Sequence, residues 1–248
     1  MDYPSYFAKF YDIIYSRMRS GVDKDYYLNK ISSVNGPVLE IGVGTGRFFL
    51  EAIHQGADMY GIDVSKSMVN VLLEKLDGEY HNRISIQDAK DFKFDKQFDL
   101  IIAPFRVFSH ILEINDQLAA LNNIFDHLSN NGRLIFDLFV PDLEVLASGI
   151  TNLVDFKGEY EPGKRFSRTI NMTADLVHQI SDITMTFKWD ESGKERVEDW
   201  NFKFRFYFRY EIEHLIKRSK LTLDTIYGDY NGNILGPASR EFVVVCKK

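Results

Sequence analysis

The chain has 248 residues, 45% of them hydrophobic, and a formal net charge of −6. That length buries one sizeable core without requiring two equal domains, and the acidic balance argues against a general nucleic-acid binder, which shows a basic face. The only cysteine, Cys246, excludes an intramolecular disulfide and fits a reducing compartment. The opening residues lack the charged start and apolar stretch of a signal peptide, and no run approaches ~20 apolar residues. A cytoplasmic protein with no membrane segment is the expectation.

In chain order, residues 3–31 are dense in aromatics. Phe7, Phe10, Tyr11 and Ile14 recur at helical spacing, with Tyr15 one turn beyond Tyr11, which predicts an amphipathic helix. Asp23 opens a second helix. From Pro37 strand and helix alternate: a strand at Val38–Ile41, a helix from Arg47 to about Gln55, a strand at Met59–Asp63, then a helix over 67–76 with Ser65 as N-cap. Strands at 84–87, 98–103 and 133–138 follow, with a helix over 116–128. Asn130-Asn131-Gly132 reads as the turn before the last of these strands. Such alternation implies a parallel sheet covered by helices on both faces.

Beyond Pro141 the pattern changes. Residues 165–174, 176–188 and 194–209 read as strands, with Asp190-Glu191-Ser192-Gly193 as a hairpin turn. Phe202, Phe204, Phe206 and Phe208 alternate with polar or basic residues, one apolar face at period two. The interleaved basic residues also suit a stacking platform for nucleic acid, but a half-buried sheet yields the same pattern and the chain is acidic. A helix over 211–219 and strands at 221–227 and 242–246 end the chain.

The most informative segment is Glu40-Ile41-Gly42-Val43-Gly44-Thr45-Gly46, followed by Asp63 at the end of the next strand. Glycines at alternate positions let a backbone turn sharply and approach a ligand, and the loop precedes a helix. The Asp63 carboxylate can accept both hydroxyl protons of a ribose. A nucleoside site at the carboxyl ends of parallel strands is the reading. A dinucleotide loop, G-x-G-x-x-G, needs a small residue where Arg47 stands, and a pyrophosphate would be repelled by Glu40, whereas an ammonium group would be welcomed.

These residues resemble the first motif of the class I S-adenosylmethionine-dependent methyltransferases, E/D-x-G-x-G-x-G, matched by Glu40, Gly42, Gly44 and Gly46. The resemblance implies an α/β fold with a Rossmann-like seven-stranded sheet and helices on both faces. To that it adds a helical N-terminal lid over 1–36 and an antiparallel β insertion over 141–210. It also implies S-adenosylmethionine as cofactor, with S-adenosylhomocysteine as product. On that reading Glu40 faces the ammonium group, Asp63 with Val64 holds the ribose, and Met68 packs on the adenine. Asp88 and Ala89 would bond the adenine edge, while Ala103, Phe105 and Phe108 line the sulfonium region. Tyr11 and Tyr15, with Arg17 or Arg19, resemble the N-terminal tyrosines of members that methylate amino sugars.

His110 is the general-base candidate, because imidazole takes a proton near neutral pH. The other histidines lack ligand spacing, so no metal is expected. The expected reaction is in-line transfer of a methyl group to nitrogen or oxygen of a small molecule, an amino sugar first, by a monomer or homodimer without nucleic-acid partners. Two rivals stay open: a nicotinamide oxidoreductase, and a methyltransferase-fold scaffold that binds cofactor without turnover.

Overall fold

The computed structural model describes residues 3–18 and 21–248. Strands β1 (Val38–Ile41), β2 (Met59–Asp63), β3 (Ile84–Ile86), β4 (Phe98–Ala103), β5 (Leu128–Phe139), β10 (Thr222–Tyr227) and β11 (Glu241–Lys247) form one sheet. Its order is β10-β11-β5-β4-β1-β2-β3. Only β11 runs against its neighbours. Alternation within β1 sends Leu39 and Ile41 to one face and Val38 to the other. The first face packs under α5 (Ile114–His127) and α7 (Arg209–Arg218), the second under α2 (Val22–Ser32), α3 (Phe49–His54) and α4 (Lys66–Lys75). The chain leaves β1 towards β2 and β3, then returns to β4 on β1's other side, so a crevice opens at the carboxyl ends of β1 and β4.

Ser65 caps α4, its hydroxyl accepting the Met68 N–H at 3.3 Å. Two local expectations fail. The helix after the glycine loop starts at Phe49 rather than Arg47; Arg47 is held outside it by a two-pronged bond to Asp23 at 2.6 and 2.8 Å. Asn130-Asn131-Gly132 is no turn between elements but a bulge inside β5. Phe98 pairs with Leu128 and Leu100 already with Arg133, and Ser129 Oγ anchors the excess by donating to Asp99 Oδ1 at 2.7 Å.

Between β5 and α7 lie the short helix α6 (Leu143–Ser148) and four antiparallel strands, β6 (Ile150–Glu161), β7 (Lys164–Asp175), β8 (Ile180–Glu191) and β9 (Lys194–Arg205), ordered as they occur. The sequence reading omits α6 and β6 and starts β8 too early: Leu176 and Val177 are exposed in a turn whose N–H groups bond Asp175. It also runs β9 too far. Tyr207 is buried beside Phe206 while Phe208 is exposed as the N-cap of α7, so the period-two face stops at Phe204.

Helix α1 (Ser5–Met18) covers this second sheet. Phe7, Phe10 and Ile14 are buried among Phe156, Phe166, Phe187, Trp189 and Trp200, with Phe10 stacked on Phe166 at 4.4 Å between centroids. Asp12, on α1's other side, accepts from Thr45 Oγ1 of the glycine loop at 2.6 Å and from Lys75 Nζ at 2.8 Å. The aromatic helix therefore bridges the cap sheet and the nucleoside-type core. Among the described residues, no helix is long and apolar enough to cross a membrane.

Candidate active site

The glycine loop begins where β1 ends. Gly42, Gly44 and Gly46 adopt φ of 73°, 55° and 88°, the left-handed region that side chains resist. A Cβ on Gly42 would strike Val107 at 2.3 Å and one on Gly46 would strike Leu72 at 2.4 Å, whereas one on Gly44 makes ordinary contacts, with the Met68 methyl at 3.5 Å and the Gly42 carbonyl oxygen at 3.8 Å. The loop is thus pressed into the fold at both ends and open to the crevice in the middle.

Asp63 sets its position. Oδ2 accepts the Gly44 N–H at 2.9 Å and Oδ1 the Ser65 N–H at 2.8 Å. Burial pushes this carboxyl up, and the N–H donors of Ser65, Gly44 and Val64 oppose the shift. Behind the loop Glu40 is 1% exposed. Burial drives its carboxyl well above the usual range, Arg47 and the Phe49 N–H counter only in part, and Oε2 is sealed from solvent without a hydrogen-bond partner. A buried oxygen in that state costs stability until a donor meets it.

Across the crevice, Phe105 and Arg106 follow β4 with φ of 63° and 62°. Two successive non-glycine residues in this region are strained. Asp137, fully buried on β5, holds them: its carboxylate accepts the N–H of Phe105 at 2.8 Å and of Arg106 at 3.1 Å, and the Tyr27 hydroxyl from α2 at 2.7 Å. The Arg106 guanidinium lies on both oxygens of Glu241, at 2.6 and 2.7 Å. The turn aims the Phe105 ring out of the core, edge-on to Tyr15 at 4.9 Å.

Two adjoining cavities result, with four lining residues in common. A cleft of 140 Å³ is lined by Gly42, Gly44, Asp63, Val64, Met68, Asp88 and Ala89, with Tyr11, Phe105 and His110 at its outer end. A chamber of 220 Å³ shares Tyr3, Tyr11, Phe105 and His110 with it and runs under the cap sheet past Tyr15. Expected residues that face neither cavity are Glu40 and Gly46, which support the loop from behind, and Ala103 and Phe108. Ala103 is buried within β4, and Phe108 stacks on Phe136 at 4.9 Å in the core. Pro104, Val107 and Ile111 line the crevice in their place. Arg17 turns instead to the ring of Phe156 at 5.9 Å; Arg19 lies outside the described residues.

His110 meets the Tyr3 hydroxyl through Nε2 at 3.1 Å, while Nδ1 is sealed and without a partner. The residue keeps some exposure overall, yet the enclosure of its ring pushes the imidazole down to about 4. It is therefore neutral at neutral pH and a weaker base than its residue type suggests. Tyr3 is missing from the sequence reading. Its backbone N–H bonds Ser65 Oγ at 3.2 Å, laying the N-terminal segment across the mouth of the cleft. Asp137 is missing too, although an acid between Phe136 and Leu138 is a signal in its own right.

Residues 38–132 match the family model for a methyltransferase domain. The cypemycin N-terminal methyltransferase of a Streptomyces species is 24% identical over 96% of this chain and 94% of its own length. Among solved structures, an S-adenosylmethionine-dependent methyltransferase from Clostridium acetobutylicum superposes with a TM-score of 0.79 at 18% identity, covering 98% of this chain and 97% of the other. The sugar N-methyltransferase KedS8 from Streptoalloteichus gives 0.74 at 14% identity, covering 96% and 93%. With the antiparallel β11 and the acid behind the glycine loop, these findings show a methyltransferase domain over residues 38–132 on a Rossmann-like methyltransferase fold, and S-adenosylmethionine-dependent methyl transfer is the activity they support. The comparisons favour the methyltransferase reading over the nicotinamide one.

Proposed function

We propose that the protein methylates an amine nitrogen of a small-molecule acceptor, with the cofactor in the cleft and the acceptor in the chamber. The observation that carries this reading is the junction of the two cavities at Tyr3, Tyr11, Phe105 and His110. His110, the one imidazole there, is neutral and weakly basic. An alcohol oxygen must lose its proton to become a good nucleophile and needs a stronger base than this. A neutral amine already carries the lone pair and needs only alignment.

The residues present fit S-adenosylmethionine. Glu40, with its orphan oxygen beneath the loop, suits an ammonium group; Asp63 retains lone pairs for ribose hydroxyls beyond its two backbone donors. Asp88 and Ala89 stand where an adenine edge would lie, with Met68 against its face. When bound, the cofactor supplies an electrophilic methyl group on a sulfonium. The chain's own part is to hold the amine lone pair in line with that methyl. Phe105 and Tyr11 wall the junction, and helix α1 covers it together with the cap sheet. At 140 Å³ the cleft is smaller than a typical ligand site of about 300–1,000 Å³.

Isothermal titration with S-adenosylhomocysteine tests the reading first, and release of that product on adding amines tests it second. Binding with amine-dependent release supports it. Transfer to alcohols but not amines would overturn the nitrogen assignment.

A further inference from the structure

The chamber's lining is specific enough to name the body that carries the amine. On the inner face of the cap sheet Ile183 pairs with Phe202 and Met185 with Trp200 across β8 and β9, and Phe204 extends the row. Trp200 stacks on Phe202 at 4.1 Å and meets the rings of Phe7 and Tyr3 at 4.6 and 4.7 Å. Tyr11, Tyr15 and Phe105 close the opposite wall. Rings and a thioether therefore face the acceptor from both sides.

Three of the polar groups in this lining are held by neighbours. The Tyr3 hydroxyl is on His110, the Tyr15 hydroxyl accepts from Arg168 at 3.2 Å, and Arg106, the one cation among the lining residues, is clamped by both oxygens of Glu241. No carboxylate or lysine lines the chamber. A polyhydroxylated ring would leave hydroxyls unpaired here, each costing on the order of tenfold in affinity, and a diphosphate handle would find no unclaimed cation on these walls.

Resting on the methyltransferase reading above, we infer that the acceptor is a primary or secondary amine carried on an apolar, aromatic-sized body rather than on a sugar. Size agrees: an apolar cavity of about 150 Å³ holds one benzene ring, and 220 Å³ holds a ring with a short amine arm reaching the residues shared with the cleft. Charge agrees as well. Positive charge grows on the nitrogen as its bond to the methyl forms and the carbon–sulfur bond breaks, and ring faces attract a cation. A carboxylate would attract it too, but would favour the protonated, non-nucleophilic ammonium beforehand.

The test is titration of 2-phenylethylamine and of D-glucosamine into protein loaded with S-adenosylhomocysteine. The expected result is at least tenfold tighter binding of 2-phenylethylamine. Met185→Gln, a mild change that adds a polar partner, narrows the ratio several-fold without altering affinity for S-adenosylhomocysteine; Trp200→Ala abolishes the preference if it folds. Equal or tighter glucosamine binding, or no binding of 2-phenylethylamine to the loaded protein, overturns the inference while leaving the methyltransferase reading intact. Failure of S-adenosylhomocysteine itself to bind overturns that reading instead.

Discussion

Asp137 Oδ2 lies 2.8 Å from the backbone nitrogen of Phe105. This contact ties a charge buried in the central sheet to the ring dividing the two cavities. The same carboxylate bonds Arg106 and Tyr27, so one side chain fixes a strained turn and docks α2. Asp137→Ala strands three donors, and each buried donor without a partner costs about 1–3 kcal/mol. Urea unfolding should show a loss on the order of 3 kcal/mol, and Asp137→Asn, which keeps one acceptor, a smaller one. In the surviving protein the acceptor KM rises more than the cofactor Kd, because Phe105 loses its aim. An alanine variant as stable as the parent would mean that the turn supports itself.

Asp63→Ala should weaken S-adenosylhomocysteine binding roughly 30-fold or more, since two ribose hydrogen bonds at about 1–3 kcal/mol each disappear. Part of the loss comes from the loop, because Gly44 and Ser65 also surrender their acceptor. Asp63→Asn separates the two contributions: it retains a backbone acceptor but not the charge. Calorimetric titration that finds parental affinity in the alanine variant removes Asp63 from the ribose.

Glu40 makes the cofactor-free protein sensitive to pH. Its carboxyl titrates well above the ordinary value of 4.5, so between that value and its folded-state range the native state binds more protons than the unfolded chain. Stability contributed by the protonated form is present below about pH 4.5 and is lost as pH rises through the folded value. Glu40→Gln should flatten that decline in thermal melts taken from pH 5 upward, and should weaken S-adenosylhomocysteine binding. Identical melting curves for parent and variant across this range contradict the assignment.

His110 acts in the opposite direction. Its folded value of about 4 lies below the ordinary 6.5, so the neutral form's contribution is complete above 6.5 and lost as pH falls towards 4. Subtracting the stability profile of His110→Asn from that of the parent isolates this slope. In turnover, the variant should lose less than the roughly hundredfold expected of a missing general base. Its pH–rate profile should keep the parental shape, set by deprotonation of the acceptor amine. A profile whose inflection near 6.5 vanishes in the variant would restore His110 as the base.

The parallel core is legible in the sequence because β1, β2 and β4 are short apolar runs covered on both faces, where burial writes directly into composition. β6 escapes for the converse reason: it is an edge strand with Phe156 as its single buried residue, so neither face carries a pattern. The glycine loop and Asp63 follow from local backbone demands and are readable one residue at a time. The roles of Tyr3, Val107 and Asp137 depend on which distant segments meet, and no spacing along the chain encodes that. Phe108 shows the limit from the other side. The spacing locates it after β4 correctly, but the turn at Phe105 rotates it into the core.

Helix α1 and the cap sheet share one aromatic interior although the first half of the core lies between them in sequence. Arg168, 2% exposed, fastens them further by joining Asp155 of the cap to the Tyr15 hydroxyl. If the chamber receives the acceptor as proposed, acceptor preference is inherited as a split cassette. A chimera receiving residues 150–205 alone would present Phe166, Phe187 and Trp189 to water, whereas one receiving α1 as well would carry its own cover. Substitutions that retune the chamber should then arise in pairs, one at each end of this discontinuous unit.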